Sequence, residues 1–291
     1  GCDIIDPHFP ESEVLDFPKT TEEARLMEEA IHAAKQAEVV VMVLGGNDLT
    51  VREDRSRTSL NLPGGQEELL KAVCATGKPV VLVLLDGRAS SINYAAAHVP
   101  AILHAWFPGE FCGQAVAEAL FGDYNPGGRL AVTFPKSVGQ IPFAFPFKPG
   151  SDESSSTSVY GVLYPFGHGL SYTTFSYGDL KISPLRQGVQ GDINISCKIK
   201  NTGKIKGDEV VQLYLRDEVS SVTTYTKVLR GFERISLEAG EEQMVHFRLR
   251  PQDLGLWDKN MNFRVEPGKF KVMIGSSSTD IRLHGRFEIA P

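Results

Sequence analysis

The chain has 291 residues, a formal net charge of −6, and 42% hydrophobic against 23% charged residues. At about 150 residues per domain this length suggests two domains, and the apolar–charged balance excludes bulk disorder. A weakly acidic chain without a Lys/Arg cluster lacks the electrostatic footprint of a nucleic-acid binder, and no apolar run reaches the roughly 18–20 residues of a membrane span.

The first residues, Gly1-Cys2-Asp3-Ile4, show neither a charged n-region nor an apolar h-region, so no signal peptide is expected. Thr21–Gln36 reads as a helix, with Ala24, Met27, Ile31 and Ala34 at helical spacing. Thr20 or Thr21 can cap it, and Glu22 and Glu23 suit its first turn. Glu38–Gly45 then reads as a buried strand, Gly64–Thr76 as a helix and Pro79–Leu85 as a second buried strand. Ser90–His98 reads as a short helix, Pro100–Trp106 as a third strand, Gly109–Gly122 as a helix and Arg129–Phe134 as an edge strand. Continuous Val/Leu strands between helices predict an open, mostly parallel α/β sheet with helices on its faces, over residues 1–147.

Pro146–Tyr160 is rich in Ser, Gly and Pro, and residues 148–169 read as a linker. From Leu170 the texture changes. Ile193–Lys200, Val210–Leu215, Met244–Leu249 and Phe270–Ile274 alternate with period two, and turn signals at Asn201-Thr-Gly203, Glu238-Ala-Gly240 and Glu266-Pro-Gly268 fall between them. That pattern predicts an antiparallel, immunoglobulin-like β-sandwich over residues 170–291.

The four cysteines, Cys2, Cys74, Cys112 and Cys197, form no CxxC pair, and the seven histidines form no HxH or HExxH. Neither a metal site nor a cofactor is expected. Chemistry concentrates instead in the loop Gly45–Asn61, which leaves a strand where open α/β sheets bind ligands. It holds Asp48, Glu53 and Asp54 beside Arg52, Arg55 and Arg57. Gly45-Gly46 begins no GxGxxG or GxxxxGK[ST] fingerprint and reads as a tight strand exit. Asp86-Gly87-Arg88 leaves the second strand at the same rim, where it can hydrogen-bond that loop.

Three segments resemble the C-terminal part of glycoside hydrolase family 3, the β-glucosidase and β-xylosidase group. They are Thr50-Val-Arg-Glu-Asp-Arg55 with Leu62-Pro-Gly-Gly-Gln-Glu-Glu-Leu-Leu70; Phe121-Gly-Asp-Tyr-Asn-Pro-Gly-Gly-Arg-Leu130 with Thr133-Phe-Pro135; and Tyr164-Pro-Phe-Gly-His-Gly-Leu-Ser-Tyr-Thr-Thr-Phe175. The sandwich, with Asn201-Thr-Gly203, Asp208–Tyr214, Leu229-Arg-Gly-Phe232 and Val265-Glu-Pro-Gly268, resembles the fibronectin type III-like domain that often ends such enzymes. The resemblance implies a retaining, exo-acting β-glucosidase or β-xylosidase that removes terminal non-reducing β-linked sugars. Family members of this architecture begin with a (β/α)₈ barrel carrying the nucleophilic aspartate, and this chain has none.

Retaining glycosidases need two carboxyl groups about 5–5.5 Å apart. The resemblance places the acid/base glutamate in the loop before Leu62-Pro-Gly64. It therefore assigns Glu53 as acid/base, with Asp54 second and Asp48 third. Arg52 could hydrogen-bond sugar hydroxyls or orient Glu53, against the simpler reading of a surface ion pair, and Asp54 is a further candidate sugar contact. The alternative for Glu53 is an exposed, Arg-paired carboxylate without a catalytic role. Trp106 could stack on a sugar, but packing is the simpler expectation, and His168 among its glycines reads as structural. The implied partners are a small oligosaccharide or glycoside and an N-terminal barrel, as a domain or a separate chain. A homo-oligomer is left open, the compartment would be periplasmic or extracellular, and the chain alone would be inactive. A non-catalytic carbohydrate-binding or scaffolding module is the alternative reading.

Overall fold

A computed structural model describes residues 21–47, 50–51, 53, 57–151 and 159–291. The described residues form two compact units. One runs to Ala117 and includes Phe134–Phe143 and Gly161–Leu163; the other holds Glu118–Thr133, the described part of Ala144–Tyr160, and Tyr164–Pro291.

The first unit is built on three parallel strands, β1 (Val40–Gly45), β2 (Val80–Leu85) and β3 (Ala101–His104), in the order β1-β2-β3. Helices α1 (Thr21–Gln36), α2 (Gln66–Cys74), α3 (Asn93–His98) and α4 (Cys112–Phe121) alternate with them. Parallel neighbours need such crossovers, because the chain must return to the same end of the sheet. The α1 bounds match the periodicity of the sequence. As the middle strand β2 is covered most completely, with Leu82 and Leu84 at 0% exposure. Leu69, Leu70 and Val73 of α2 join this core, and each such side chain removed from water contributes about 1.5–3 kcal/mol.

Two expectations need correction. Glu38–Gly45 is not covered on both faces: β1 is an edge strand whose Met42 is buried while Val41 and Val43 are 49% and 57% exposed. Alternate side chains of a strand face opposite ways, and the described residues cover only one face. Arg129–Phe134 is not a strand. Its backbone pairs at separate points, Leu130 with Gly167 and His168 and Phe134 with Leu163, without a continuous ladder.

The second unit contains β4 (Phe175–Ser183), β5 (Arg186–Gly188), β6 (Ile193–Asn201), β7 (Gly207–Asp217), β8 (Val228–Leu237) and β9 (Glu242–Leu249). A short helix α5 (Pro251–Leu254) and a hairpin of β10 (Leu256–Trp257) and β11 (Phe263–Arg264) precede β12 (Gly268–Gly275) and β13 (Ile281–Ala290). The larger sheet runs β5-β13-β12-β7-β8 and the smaller β4-β6-β9. All pairs are antiparallel except β5 with β13. The period-two alternation turns Ile193, Ile195, Cys197 and Ile199 inward from β6 to meet Val211, Leu213, Val272 and Ile274.

This unit also takes in residues ahead of the sandwich. Arg129 places Nη2 3.0 Å from Glu209 Oε2, with both side chains almost wholly buried. Tyr177 donates its hydroxyl to the other carboxylate oxygen at 2.8 Å. Burial pushes the Glu209 carboxyl above its usual range, and Arg129 opposes that shift. Substituting Arg129→Met would leave a buried carboxylate without its countercharge, at about 3–5 kcal/mol. Urea denaturation should register that loss, and adding Glu209→Gln should recover part of it; a loss below about 1 kcal/mol would refute the coupling.

Candidate active site

The carboxyl ends of the three parallel strands form a rim, and its geometry begins at Gly45. This residue has φ +131°, and a Cβ there would lie 2.1 Å from the backbone oxygen of Leu85, so only glycine fits. Gln66, the first residue of α2, holds Gly45 with both ends of its amide. Its Oε1 accepts from Gly45 N at 2.8 Å, and its Nε2 donates to Gly45 O at 2.9 Å. Gly46 N then donates to Leu85 O at 2.9 Å. The glycine pair is thus the tight strand exit expected from the sequence.

Beyond the exit, Thr50 N and Val51 N both donate to Asn47 O, and Asn47 N donates to Thr50 Oγ1 at 3.1 Å. The Val51 methyls fill two slots that exist because the residues opposite lack side chains. A Cβ on Gly46 would meet Val51 Cγ2 at 2.0 Å, and one on Gly87 would meet Val51 Cγ1 at 2.6 Å. Asp86, fully buried, accepts from Ser90 Oγ at 2.5 Å and Arg88 N at 3.3 Å. Arg88 Nη1 donates to Thr50 O at 2.6 Å. The expected hydrogen bond from the Asp86–Arg88 segment to the loop is present, and its donor is the guanidinium.

Glu53 lies in a turn of this loop and its side chain is exposed. Arg52, Asp54, Arg55 and Asp48 lie outside the described residues. Farther on, Arg57 Nη2 donates to Asn61 O at 2.5 Å. The sequence reading missed Gln66 and Ser90. A glutamine opening the helix that follows the Gly45–Asn61 loop is the signal that could have suggested the first.

Trp106 is half-buried. It packs edge-on against His104, with centroids 4.4 Å apart, and lies near Phe134. Its backbone sits in the left-handed region at φ 54°, a conformation costing about 1–3 kcal/mol that surrounding packing must sustain. His104 meets Phe134 as well, with ring centroids 5.2 Å apart. Burial lowers its pKa, with the charge of Asp86 acting against that shift. In the second unit, His168 stacks on Tyr164 at 5.2 Å, and burial lowers its pKa too.

An open parallel sheet whose rim carries a built loop is joined in sequence to a β-sandwich. The chain belongs to glycosyl hydrolase family 3: the family's C-terminal domain model matches residues 11–172, and a fibronectin type III-like domain model matches residues 209–278. A beta-xylosidase of Formosa agariphila is 45% identical over 254 residues, covering 86% of this chain and 35% of that protein. A periplasmic beta-glucosidase of Salmonella typhimurium is 40% identical over 296 residues, covering 95% of this chain and 39% of that protein. Among solved structures, a β-glucosidase from Erythrobacter marinus superposes with a TM-score of 0.87 at 41% identity, covering 94% of this chain and 37% of that one. The chain therefore spans between a third and two-fifths of the length of these two curated relatives.

Two measurements test the rim. Gly45→Ala should lower stability by about 1–3 kcal/mol for the backbone conformation alone, and the contact with Leu85 O adds to that loss; a melting temperature equal to the wild type would refute the tight exit. His104 should titrate below the ordinary value of about 6.5 in an NMR pH series. The unfolded chain then takes up a proton that the folded chain refuses, so this group removes stability as pH falls through about 6.5. His104→Phe should accordingly flatten the decline in melting temperature between about pH 7 and pH 5.

Proposed function

We propose that this chain is the C-terminal part of an exo-acting retaining β-glycosidase, a β-glucosidase or β-xylosidase, and that Glu53 is its general acid/base. The observation that carries this reading is the placement of Glu53, a carboxylate three residues beyond the anchored Thr50 on a loop at the carboxyl rim. Ligands of open α/β sheets bind at that rim. In the double displacement, one carboxylate attacks the anomeric carbon while the acid protonates the departing oxygen, and the resulting carboxylate then takes a proton from the attacking water. Glu53 serves as the acid and then the base. The nucleophile comes from a (β/α)₈ barrel, consistent with the length of the relatives that this chain does not match. A general acid holds its proton near neutral pH only where its site disfavours the charge. Glu53 is exposed in this chain, so the barrel supplies the covering wall as well as the nucleophile. Arg52 and Asp54 contact sugar hydroxyls.

The test joins this chain to a family 3 barrel and compares wild type with Glu53→Gln. Loss of the acid should lower kcat/KM on a phenyl β-glycoside by about 10²–10⁴-fold. Azide should accelerate turnover of the 2,4-dinitrophenyl β-glycoside by the variant and yield the β-glycosyl azide. The chain without a barrel should show no turnover. A wild-type rate for Glu53→Gln would remove Glu53 from the mechanism, and calorimetric binding of glucose or xylose without any turnover would favour a non-catalytic module.

A further inference from the structure

We infer that Arg88 is a positioning residue for Glu53, acting through the Thr50 carbonyl. The inference rests on the acid/base reading of Glu53 and goes beyond it by naming what holds the acid in place.

The argument begins with what fixes Arg88 itself. It leaves β2 two residues after Asp86, whose carboxylate is wholly inside the unit and accepts from Ser90 Oγ and from Arg88 N. The intervening Gly87 has no room for a side chain, because a Cβ there would lie 2.6 Å from Val51 Cγ1 and 2.9 Å from Phe107 Cε2. The Asp86–Arg88 turn is therefore held from both sides, and its guanidinium reaches the loop from a neighbouring strand. The contact is a charge-assisted hydrogen bond of 2.6 Å to a backbone oxygen 38 positions away in sequence.

Thr50 O is an informative place for such a bond. The strand exit is already anchored by Gln66 and Leu85, and the Val51 side chain by the two glycines. Arg88 adds a polar tie from the end of a neighbouring strand to Thr50, three residues before Glu53. Three extended residues span at most about 10–11 Å, so a fixed Thr50 confines the region that the Glu53 backbone can visit. A residue that needed only to fill space would not require a charged donor aimed at a main-chain oxygen. Proton donation is steep in geometry, and misplacement of a reacting group by about 1 Å can cost about a hundredfold in rate.

A misplaced acid has a signature distinct from a damaged fold. Substrates with poor leaving groups need protonation and activated ones do not. In the barrel-joined enzyme, Arg88→Ala should lower kcat/KM on the phenyl β-glycoside by about 10–100-fold while leaving the 2,4-dinitrophenyl β-glycoside within about threefold of wild type. Arg88→Lys, which keeps a cationic donor on a flexible stem, should fall between the two. A second measurement needs no turnover: in this chain as it stands, Arg88→Ala should speed hydrogen exchange at the Thr50 and Val51 amides, which donate to Asn47 O, and leave β2 and β3 unchanged. Equal losses on both substrates, or unchanged rates on both, would overturn the inference, as would unchanged exchange in the loop. If Glu53→Gln itself lacks leaving-group selectivity, the acid/base reading fails and this inference falls with it. Selectivity in Glu53→Gln but not in Arg88→Ala defeats the positioning role alone.

Discussion

One backbone position governs the geometry of the rim. Gly45 must adopt a conformation that L side chains rarely take, in a space already filled by the Leu85 carbonyl. The chain consequently turns off β1 at one place and in one direction. Gln66 then reads both polar groups of that glycine, much as a neighbouring strand would. Because Gln66 begins the helix that buries Leu69, Leu70 and Val73, the loop root inherits the rigidity of the hydrophobic core. The remaining ties, Val51 between two glycines and Arg88 on Thr50, build outward from there.

The second unit obeys the same rule, that buried polar groups must be satisfied, at higher electrostatic stakes. A carboxylate and a guanidinium buried together are tolerated only when their geometry and remaining hydrogen bonds offset the lost hydration. Glu209 meets that condition through Arg129 and Tyr177. Asn201, also wholly buried, accepts from Thr173 Oγ1 and Gly203 N and donates to Ile205 O and Leu237 O. Gln212 donates to Gly167 O and Ser276 O. Arg129, Gly167 and Thr173 all belong to segments on the near side of the first sandwich strand. Their partners lie within it, so the sandwich is completed by chain that its own alternating pattern does not include.

That distinction also explains what was legible in the sequence. Elements whose evidence is local were readable: the 3.6-residue spacing of α1, the Val/Leu run of β2 and the alternation of β6, β7, β9 and β12 each carry their own periodicity. The openness of Val41 and Val43 was not readable, because a run of valines reports apolarity and not whether a layer covers it. Leu130, Val132 and Phe134 also alternate, yet backbone pairing at isolated points replaces a ladder. Contacts at long separation had no local signal. Gln66 acts on a residue 21 positions back, Ser91 Oγ reaches Pro135 O 44 positions ahead, and Arg129 meets Glu209 across 80. Arg88 was partly foreseen because the topology places the ends of consecutive parallel strands at one rim, which is geometry rather than composition.

In the proposed reading, the catalytic task divides along physical lines. Positioning a carboxyl group requires short-range ties to a rigid frame, and the described rim is dense with them. Disfavouring its charge requires the exclusion of water from both sides, which a loop on the outside of a sheet cannot achieve alone. An exposed glutamate on an anchored loop is what that division leaves on this side of a composite site: the frame is complete and the low-dielectric enclosure is not. A wholly enclosed Glu53 would have to be opened for sugar to enter. An unanchored one would give up the orientational gain that makes intramolecular proton transfer fast. Exposure with anchoring avoids both losses, and it ties protonation to the closure of the site around sugar, when the leaving oxygen is in place to receive the proton.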